Sequence, residues 1–396
     1  MKDVPFFSKR DKAILIALFI VGVVVAATLG SHFWQSYLVN ALFVMTFALG
    51  AAVFIAVHYV SNSGWTSVLR RVPEALMSYV PVGALTLLVV FFGRHEIYKW
   101  TNERYIEHGP TYAFKDTWLT PGFFFARMFI YLLIWTVFVY IIRYMSTRQD
   151  GDGSPDHTAS AKRYSALFLV IFGVTYSLAS FDWIMSIEPL FYSTIFGFYL
   201  IAGTLLSGVS AITFFIIFLQ RYGILKEIGG KHLHKLGVIV LGYATFWAYI
   251  WISQYLLIYY ANLPEETIYY FRQTSGRGWF AFFIVNLFLN WIIPFIMLLP
   301  KRVKFNKTWL LTACTIVLVG RWLDMYVMVM PPFSATPAIG IADIALLIAF
   351  VALFLFMFVR NLSAKNLVPI RDPYLAESLW HEDLGPDWQE PAAERG

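Results

Sequence analysis

Long apolar runs alternate with short polar segments along the whole chain, and the runs share a similar length. Each is long enough to cross a membrane as a helix, because a hydrocarbon core of about 30 Å needs about 20 helical residues. Backbone groups in lipid must find hydrogen-bond partners within the segment, which favours helices over strands. The pattern therefore predicts ten transmembrane helices, at residues 12–30, 37–60, 75–93, 122–142, 164–186, 193–219, 236–261, 278–299, 308–330 and 341–359.

Basic residues are unevenly divided between the two ends of these predicted helices. When the connecting segments are assigned alternately to two faces, one face holds 22 of the 30 Lys and Arg residues and the other holds five. Basic residues concentrate in short cytoplasmic loops. An odd number of helices would scramble this division. The asymmetry therefore favours ten helices with both termini in the cytoplasm.

The composition fits an integral membrane protein and disfavours other classes. Hydrophobic residues make up 59% of the chain and charged residues 14%. The pI near 9.1 follows from the cytoplasmic loops, where anionic lipid accounts for the basic residues, so we expect lipid and no nucleic acid as a partner. The first apolar run lacks an obvious small-residue cleavage site, so we expect it to remain as an anchor.

Metal and haem sites need ligands that this chain scarcely carries. Its single cysteine, Cys314, lies within an apolar run, which excludes iron–sulfur clusters and covalent haem attachment. A haem held within the membrane needs two facing imidazoles, and among the eight histidines only His58 falls inside an apolar run. We therefore expect no metal, no haem and no covalently bound cofactor.

Three segments are predicted to extend beyond the membrane. Residues 94–121 are aromatic and of mixed charge, which suggests an ordered cap or docking surface. Residues 144–163 contain the run DGDGSP, which predicts a flexible polar tip on the cytoplasmic side. The cytoplasmic tail at 360–396 is polar and rich in proline, and we expect it to run over a partner or to stay loose.

Residues 262–272 carry the signals of an additional helix. Pro264 stands early, and Glu265 and Glu266 follow in the first turn, where the helix dipole favours carboxylates. The aromatic run after them suits a helix that lies at the outer membrane surface. Helix capping alone would also explain the two glutamates.

The chain contains a weak internal repeat. A shift of 142 positions pairs Asp182 with Asp324, and it also pairs Pro189 with Pro331 and Phe191 with Phe333. Both units begin at the outer face, as parallel repeats do. Within a single polytopic domain over 1–396, this predicts an all-α membrane fold with two four-helix bundles, at 37–186 and 193–330, and two peripheral helices.

Five ionisable residues inside the predicted helices are the candidate functional groups. Charges within a membrane are costly and often functional. Arg127, Asp182, Arg321 and Asp324 fall in the outer third, whereas His58 falls near the cytoplasmic end of its helix. The first four suit either a structural ion-pair network or a proton-transfer site. His58 suits either a structural hydrogen bond or an inner proton path.

Hydroxyl side chains lie between these two groups along the predicted helices. Tyr176, Ser177 and Ser253 are examples. Hydroxyl groups usually serve as contacts between packed membrane helices. They would also suit a hydrogen-bonded path for water between the inner and outer groups.

Sequence motifs in three predicted helices resemble one known family. The run WISQYLLIYYANLPEE at 251–266 is similar to the seventh-helix signature of the NrfD-like membrane subunits of bacterial alternative complex III. The runs HYVSNSGW at 58–65 and FDWIMS at 181–186 fit the same family. The chain length resembles the smaller of the two such subunits in that complex.

The resemblance implies a role in bacterial respiration. It implies a subunit of a quinol:electron-acceptor oxidoreductase in the cytoplasmic (inner) membrane, with ten helices in two bundles. The implied partners are a second NrfD-like subunit, iron–sulfur subunits and multihaem c-type cytochrome subunits. The resemblance also implies that menaquinone or its quinol binds to the complex, and that the function of the complex includes quinol-linked proton translocation. Because the chain offers no cofactor ligands, electrons are expected to pass through the partners.

Two other functions remain open from the residues alone. Parallel repeats and intramembrane charges also occur in secondary transporters. Transporters often interrupt paired helices at the midplane, but Pro81 and Pro294 do not occupy matching positions in the two halves. A purely structural membrane anchor is the third possibility.

Overall fold

The regular structure of this protein is entirely helical in the computed structural model, which describes residues 8–102, 113–275, 278–363 and 366–383. Ten helices in these ranges are long and apolar enough to cross a membrane, which confirms the predicted number. The chain is a multi-pass membrane protein, and the ten helices are numbered here as spans one to ten. They run Lys9–Leu29, Phe33–Val60, Arg71–Ile97, Pro121–Asp152, Pro155–Ile187, Phe196–Arg221, Gly230–Ala261, Trp279–Leu298, Lys307–Val329 and Ile341–Leu362.

Spans four and five extend further at their shared end than the sequence predicted. The segment 144–163 was expected to be a loop with a flexible tip, and this is wrong: the chain is helical up to Asp152 and again from Pro155. Gly153 makes the turn with a φ of 71°, and the Ser154 side chain caps the next helix. Hydropathy marks only the part of a helix that lies in lipid, so it misses polar extensions with their own caps.

Span two is the centre of the fold and packs against spans three, five, six, nine and ten. Its most apolar stretch is completely buried. At the crossing with span six the two backbones touch. A Cβ at Gly50 would overlap the Thr204 carbonyl oxygen, and one at Gly208 would overlap the Gly50 backbone. Small residues permit such close approach of membrane helices, and the crossing holds span six, which carries site residues, against the centre.

Spans one and ten pack against each other at the edge of the molecule. Their backbones also approach closely, because a Cβ at Gly22 would lie 2.6 Å from the Ala345 carbonyl oxygen. Only 11% of the most apolar stretch of span one is buried. Most of that apolar surface therefore faces outward, as expected of a helix surrounded by lipid.

The additional helix predicted after span seven is present as Pro264–Thr274. Asn262 ends span seven in the left-handed conformation, with a φ of 49°, and its N–H donates to the Ile258 carbonyl oxygen at 3.0 Å. Asparagine tolerates this conformation better than most residues. The ANLPEE part of the motif thus encodes a tight turn between two helices.

Part of the C-terminal tail folds back onto the chain, contrary to the expectation that it would run over a partner or stay loose. Its helix Leu375–Asp383 packs against the 3₁₀ helix Gly64–Leu69, which joins spans two and three. Sequence reasoning missed this because the tail is polar and its contacts are with residues about 300 positions earlier. Residues 384–396 of the predicted tail and 103–112 of the predicted outer loop lie outside the described residues.

Thiol labelling tests the predicted orientation. The single native cysteine, Cys314, is fully buried, so introduced cysteines report their own positions. Thr336 and Ser363 are exposed and flank span ten. We expect a membrane-impermeant maleimide added to intact cells to label Thr336→Cys and not Ser363→Cys, because the basic residues place Ser363 in the cytoplasm. The reverse pattern would overturn the orientation.

Candidate functional site

The first of two buried carboxylate centres lies between spans four and five. Arg127 donates from Nε to Asp182 Oδ2 at 3.0 Å and from Nη2 to Oδ1 at 2.8 Å. Trp118 donates from Nε1 to Oδ1 at 2.7 Å. Asp182 is fully buried and Arg127 nearly so. This planar two-point pairing is the strongest form of a carboxylate–guanidinium contact, and it holds both carboxylate oxygens in place.

Local structure fixes the two partners of this first centre. Arg127 lies two turns into span four, and its guanidinium carbon stands 3.9 Å from the centroid of the Trp118 ring and 4.2 Å from that of Phe123. Asp182 is in the last turn of the helix Pro155–Trp183, and its carbonyl oxygen accepts a hydrogen bond from Ser186. The ion pair is therefore enclosed by aromatic rings and anchored at the end of span five.

The second centre is built around Asp324 in span nine. Arg321, one turn earlier on the same helix, places Nη1 2.5 Å from Asp324 Oδ2. The other oxygen, Oδ1, accepts hydrogen bonds from the Asn286 side chain at 2.6 Å and from the Tyr199 hydroxyl. Tyr199 belongs to span six and Asn286 to span eight, so spans six, eight and nine meet at this carboxylate. The carboxylate is fully buried.

Arg321 is held differently from Arg127. It makes one contact with its carboxylate, and its Nε donates to Ser207 Oγ at 3.2 Å. Its guanidinium carbon lies 5.7 Å from the centroid of the Trp247 ring. The space for the guanidinium depends on Gly203, since a Cβ there would overlap Nη2. Arg321 therefore bonds to both Asp324 and span six, whereas Arg127 bonds to one carboxylate through two of its nitrogens, Nε and Nη2.

A π-helical turn in span eight shapes the second centre. It covers Phe288–Ile292 and contains the buried Asn290. Asn290 donates to the side-chain oxygen of Asn286 at 2.7 Å, and Asn286 in turn donates to Asp324. Such turns are rare and often mark functional positions in helices. The turn places two asparagines in a chain that ends at the carboxylate.

The four outer residues thus form two separate ion pairs. Each carboxylate pairs with the arginine of its own half of the chain, Asp182 with Arg127 and Asp324 with Arg321. Both aspartates lie near the ends of their helices. The second pair could be read from the sequence, because the i,i+3 spacing in span nine places both residues on one helix face. The first pair needs the fold, because its partners come from different spans.

His58 lies in the last turn of span two, far along that helix from its predicted outer end. Its Nδ1 donates to the Phe54 carbonyl oxygen at 2.7 Å. The ring packs edge-on against Trp65 at 5.5 Å and lines a small cavity together with Thr66 and Arg70. The structure therefore gives His58 the structural hydrogen bond that was one of its two expected roles, and leaves Nε2 as the atom that can exchange a proton.

A larger group of charges near His58 was missed in the sequence. We call it the inner cluster: Arg70, Arg71, Glu74, Asp150 and Asp372. Glu74 is buried and contacts the side chains of Arg71 and Ser146. Arg71 also reaches Asp150 at 2.5 Å, and Arg70 pairs with Asp372 and donates to the Tyr59 hydroxyl at 3.2 Å.

Sequence reasoning missed the inner cluster because its members come from distant segments. Arg70 and Arg71 were counted only as basic loop residues, and Glu74 immediately precedes the predicted third helix. The one available signal was this glutamate beside Pro73 at the start of an apolar run.

The hydroxyl side chains that were expected to lie between His58 and the four outer residues differ in their hydrogen bonds. Tyr176 and Thr204 share a hydrogen bond of 2.6 Å that joins spans five and six. Ser177 donates to the carbonyl oxygen of Gly173 in its own helix, and Ser253 is half-buried. Tyr176 therefore contributes to packing between the halves, and Ser177 is locally satisfied.

Several buried polar atoms in the second half have no hydrogen-bond partner among the described residues. Gln254, within the span-seven motif, is fully buried and leaves both Nε2 and Oε1 unpaired. Asn290 Oδ1 and Trp247 Nε1 are also unpaired. Buried polar groups nearly always bond to protein or to internal water. Asn290 and Trp247, which contact members of the second centre, thus supply polar atoms suited to holding water there.

Charged residues tie the connecting segments together on the predicted outer side. Glu188 lies 3.0 Å from Arg272 and 3.7 Å from Lys99. The Lys115 ammonium donates to the carbonyl oxygens of Phe191, at 2.9 Å, and Pro189. Burial lowers the pKa of Lys115 to about 8. These contacts join the segments that follow spans three, five and seven into one cap above the two centres.

Among the described residues, no three His, Cys, Asp or Glu side chains are grouped so that they could hold a metal ion. The carboxylates of the two centres are each occupied by an arginine. Both carboxylates are therefore seen in buried ion pairs.

Comparison with known proteins assigns no relative: no protein-family model and no curated protein matches the chain.

Proposed function

We propose that the chain is an NrfD-like subunit of a bacterial respiratory quinol:electron-acceptor oxidoreductase of the alternative complex III type. In this proposal it lies in the inner membrane with both termini in the cytoplasm. It anchors iron–sulfur and multihaem cytochrome subunits beside a second NrfD-like subunit, and it carries protons while the partners carry electrons. Quinol supplies the chemistry when it binds to the complex, because its oxidation releases protons and electrons together.

The packing of the spans supports the two-bundle arrangement that this family implies. Within spans two to five, each span contacts the next one along the chain, and the same holds within spans six to nine. The two groups meet where span two crosses span six, and spans one and ten pair at the edge. This is the arrangement expected of two four-helix bundles with two peripheral helices.

The observation that carries the proposal is the geometry of Asp324. Its Oδ1 accepts from a tyrosine hydroxyl, a group that can both donate and accept a proton. Its Oδ2 has a single contact with Arg321, which keeps a second partner in Ser207. A proton that arrives on Asp324 can therefore neutralise it while Arg321 remains hydrogen-bonded, and the proton leaves when the ion pair forms again.

The first centre lacks that freedom. Arg127 occupies both oxygens of Asp182, and Trp118 supplies a further donor. Protonation of Asp182 would break charge-assisted bonds that have no substitute. We assign Asp182 and Arg127 the structural role and Asp324 and Arg321 the proton-transfer role. His58 and the inner cluster then form the cytoplasmic end of the path.

The interruptions of the spans do not support the transporter alternative. Span three is interrupted at Ser78 and span eight has its π turn at Phe288–Ile292. These are the second span of one bundle and the third of the other, so the interruptions do not recur at equivalent positions. Transporters with repeats usually show such equivalence.

Purification from native membranes tests the proposed function. A tagged chain solubilised in mild detergent is expected to bring with it subunits that carry c-type haem and iron–sulfur clusters, visible by a pyridine haemochrome assay and by iron analysis. The separated chain is expected to contain neither. Recovery of the chain as an isolated oligomer that transports a solute would support the transporter instead.

A further inference from the structure

We propose that residues 366–383 form a strap that closes the inner end of the molecule and controls the access of water to the inner cluster. The strap crosses from the hairpin of spans four and five, over the 3₁₀ helix Gly64–Leu69, to the start of span seven. This inference is independent of the proposed redox function, because it concerns only access to a buried polar cluster of this chain.

The first part of the strap is attached to the hairpin between spans four and five. The N–H of Ile370 donates to Asp150 Oδ1 at 3.1 Å, and Arg371 donates to the Gly151 carbonyl oxygen at 2.5 Å. Asp150 uses its other oxygen to bind Arg71 of the inner cluster. One carboxylate thus links the strap directly to the buried charges.

The middle of the strap supplies a member of the inner cluster. Asp372 is buried, forms an ion pair with Arg70, and accepts from Ser67 Oγ at 2.7 Å. Arg70 is equally buried and stands beside the cavity lined by His58. Without the strap, Arg70 would have to bind water, since a buried cation cannot remain unpaired.

The last part of the strap is the helix Leu375–Asp383. Ser378 donates to the Trp65 carbonyl oxygen at 2.8 Å and accepts from the N–H of Val68 at 3.2 Å. The Glu377 carboxylate lies directly over Gly64, where a Cβ would overlap it. The Trp65 ring beneath this helix contacts His58 on one side and the Lys235 ammonium, at 5.0 Å, on the other.

Two features indicate a movable cover. Its polar attachments are ion pairs and hydrogen bonds, for which water can substitute, and its leucine and valine side chains are only partly buried against the core, so it opens more readily than a fully buried apolar segment. It also covers a polar cluster and completes a small cavity lined by Arg71, Glu74, Arg143 and Asn366, the last of which belongs to the strap. Opening the strap would therefore expose to bulk water charges that are buried in the closed state.

A buried position under the strap offers a direct test. Ser146 is 4% exposed and contacts Glu74, so Ser146→Cys places a thiol inside the inner cluster at little cost in volume. We expect this thiol to react slowly with a polar maleimide in inside-out vesicles. Adding Asp372→Ala is expected to raise the rate about tenfold or more, because the Arg70 attachment is lost and the open state becomes more populated.

Three comparisons make the test decisive. Glu227→Ala, an exposed carboxylate change elsewhere, should leave the rate of Ser146→Cys unaltered. A chain ending at 365 should give at least the effect of Asp372→Ala. The fully buried Cys314 should stay unreactive throughout. An unchanged rate in both strap variants would overturn the proposal, because the strap would then not cover the cluster. A parallel rise in the reaction rate of Cys314 would also overturn it, because loss of the strap would then unfold the protein.

Discussion

Asp182→Ala is expected to destabilise the first half of the chain strongly. The change leaves Arg127 as a buried cation that has lost both of its hydrogen bonds to the carboxylate. Breaking a buried ion pair in this way costs about 3–5 kcal/mol, a large part of the about 5–15 kcal/mol that a folded protein has available. Thermal unfolding of the detergent-solubilised protein, followed by size exclusion after heating, should show a clear loss of stability.

A neutral double variant separates charge from packing at this centre. Arg127→Gln with Asp182→Asn keeps similar volumes and removes both charges, so it should recover most of the stability that Asp182→Ala loses. Equal stability of Asp182→Ala and the parent would mean that Arg127 reaches water, and the structural role of the pair would have to be abandoned.

The spans could be predicted because their signal is local. An apolar run of about 20 residues is visible without any knowledge of the fold, and each of the ten runs became a helix. The turn after span seven was equally local, since Asn262, Pro264 and Glu265 specify it within a few positions. The ends of spans four and five could not be predicted in this way, because polar residues there continue the helix beyond the apolar run.

The contacts that could not be predicted from the sequence join residues from distant segments of the chain. Asp324 and Arg321 share a helix face, so their contact was predictable. Tyr199 and Asn286 complete that centre from spans six and eight, and a single neutral polar residue barely changes the mean hydropathy of an apolar span and adds no charge. The inner cluster is the extreme case, since Asp372 reaches Arg70 across 302 positions. Only packing of the tail brings them together.

Asp324→Asn is expected to reduce quinol-linked proton movement while leaving assembly intact. Asparagine keeps the size of the side chain, and its one carbonyl oxygen can still accept from Tyr199 and Asn286 while Arg321 keeps its bond to Ser207, but it cannot bind and release a proton. Loss of a positioned proton-transfer group typically costs about 10²–10⁴-fold in rate. Proton release by the purified complex in vesicles, measured with a pH-sensitive dye during quinol oxidation, should therefore fall by about 100-fold or more.

A matched control distinguishes proton transfer at Asp324 from simple loss of a buried charge. Asp343 is also a buried carboxylate within a span, but it caps its own helix by accepting from the Gly340 N–H at 2.8 Å. Asp343→Asn should therefore lower stability modestly and leave proton movement unchanged. If the role of Asp324 is purely structural, Asp324→Asn should assemble poorly because Arg321 is left unpaired, and Arg321→Gln should restore the complex. Full proton movement in that double variant would falsify the transfer role, since neither remaining side chain can titrate.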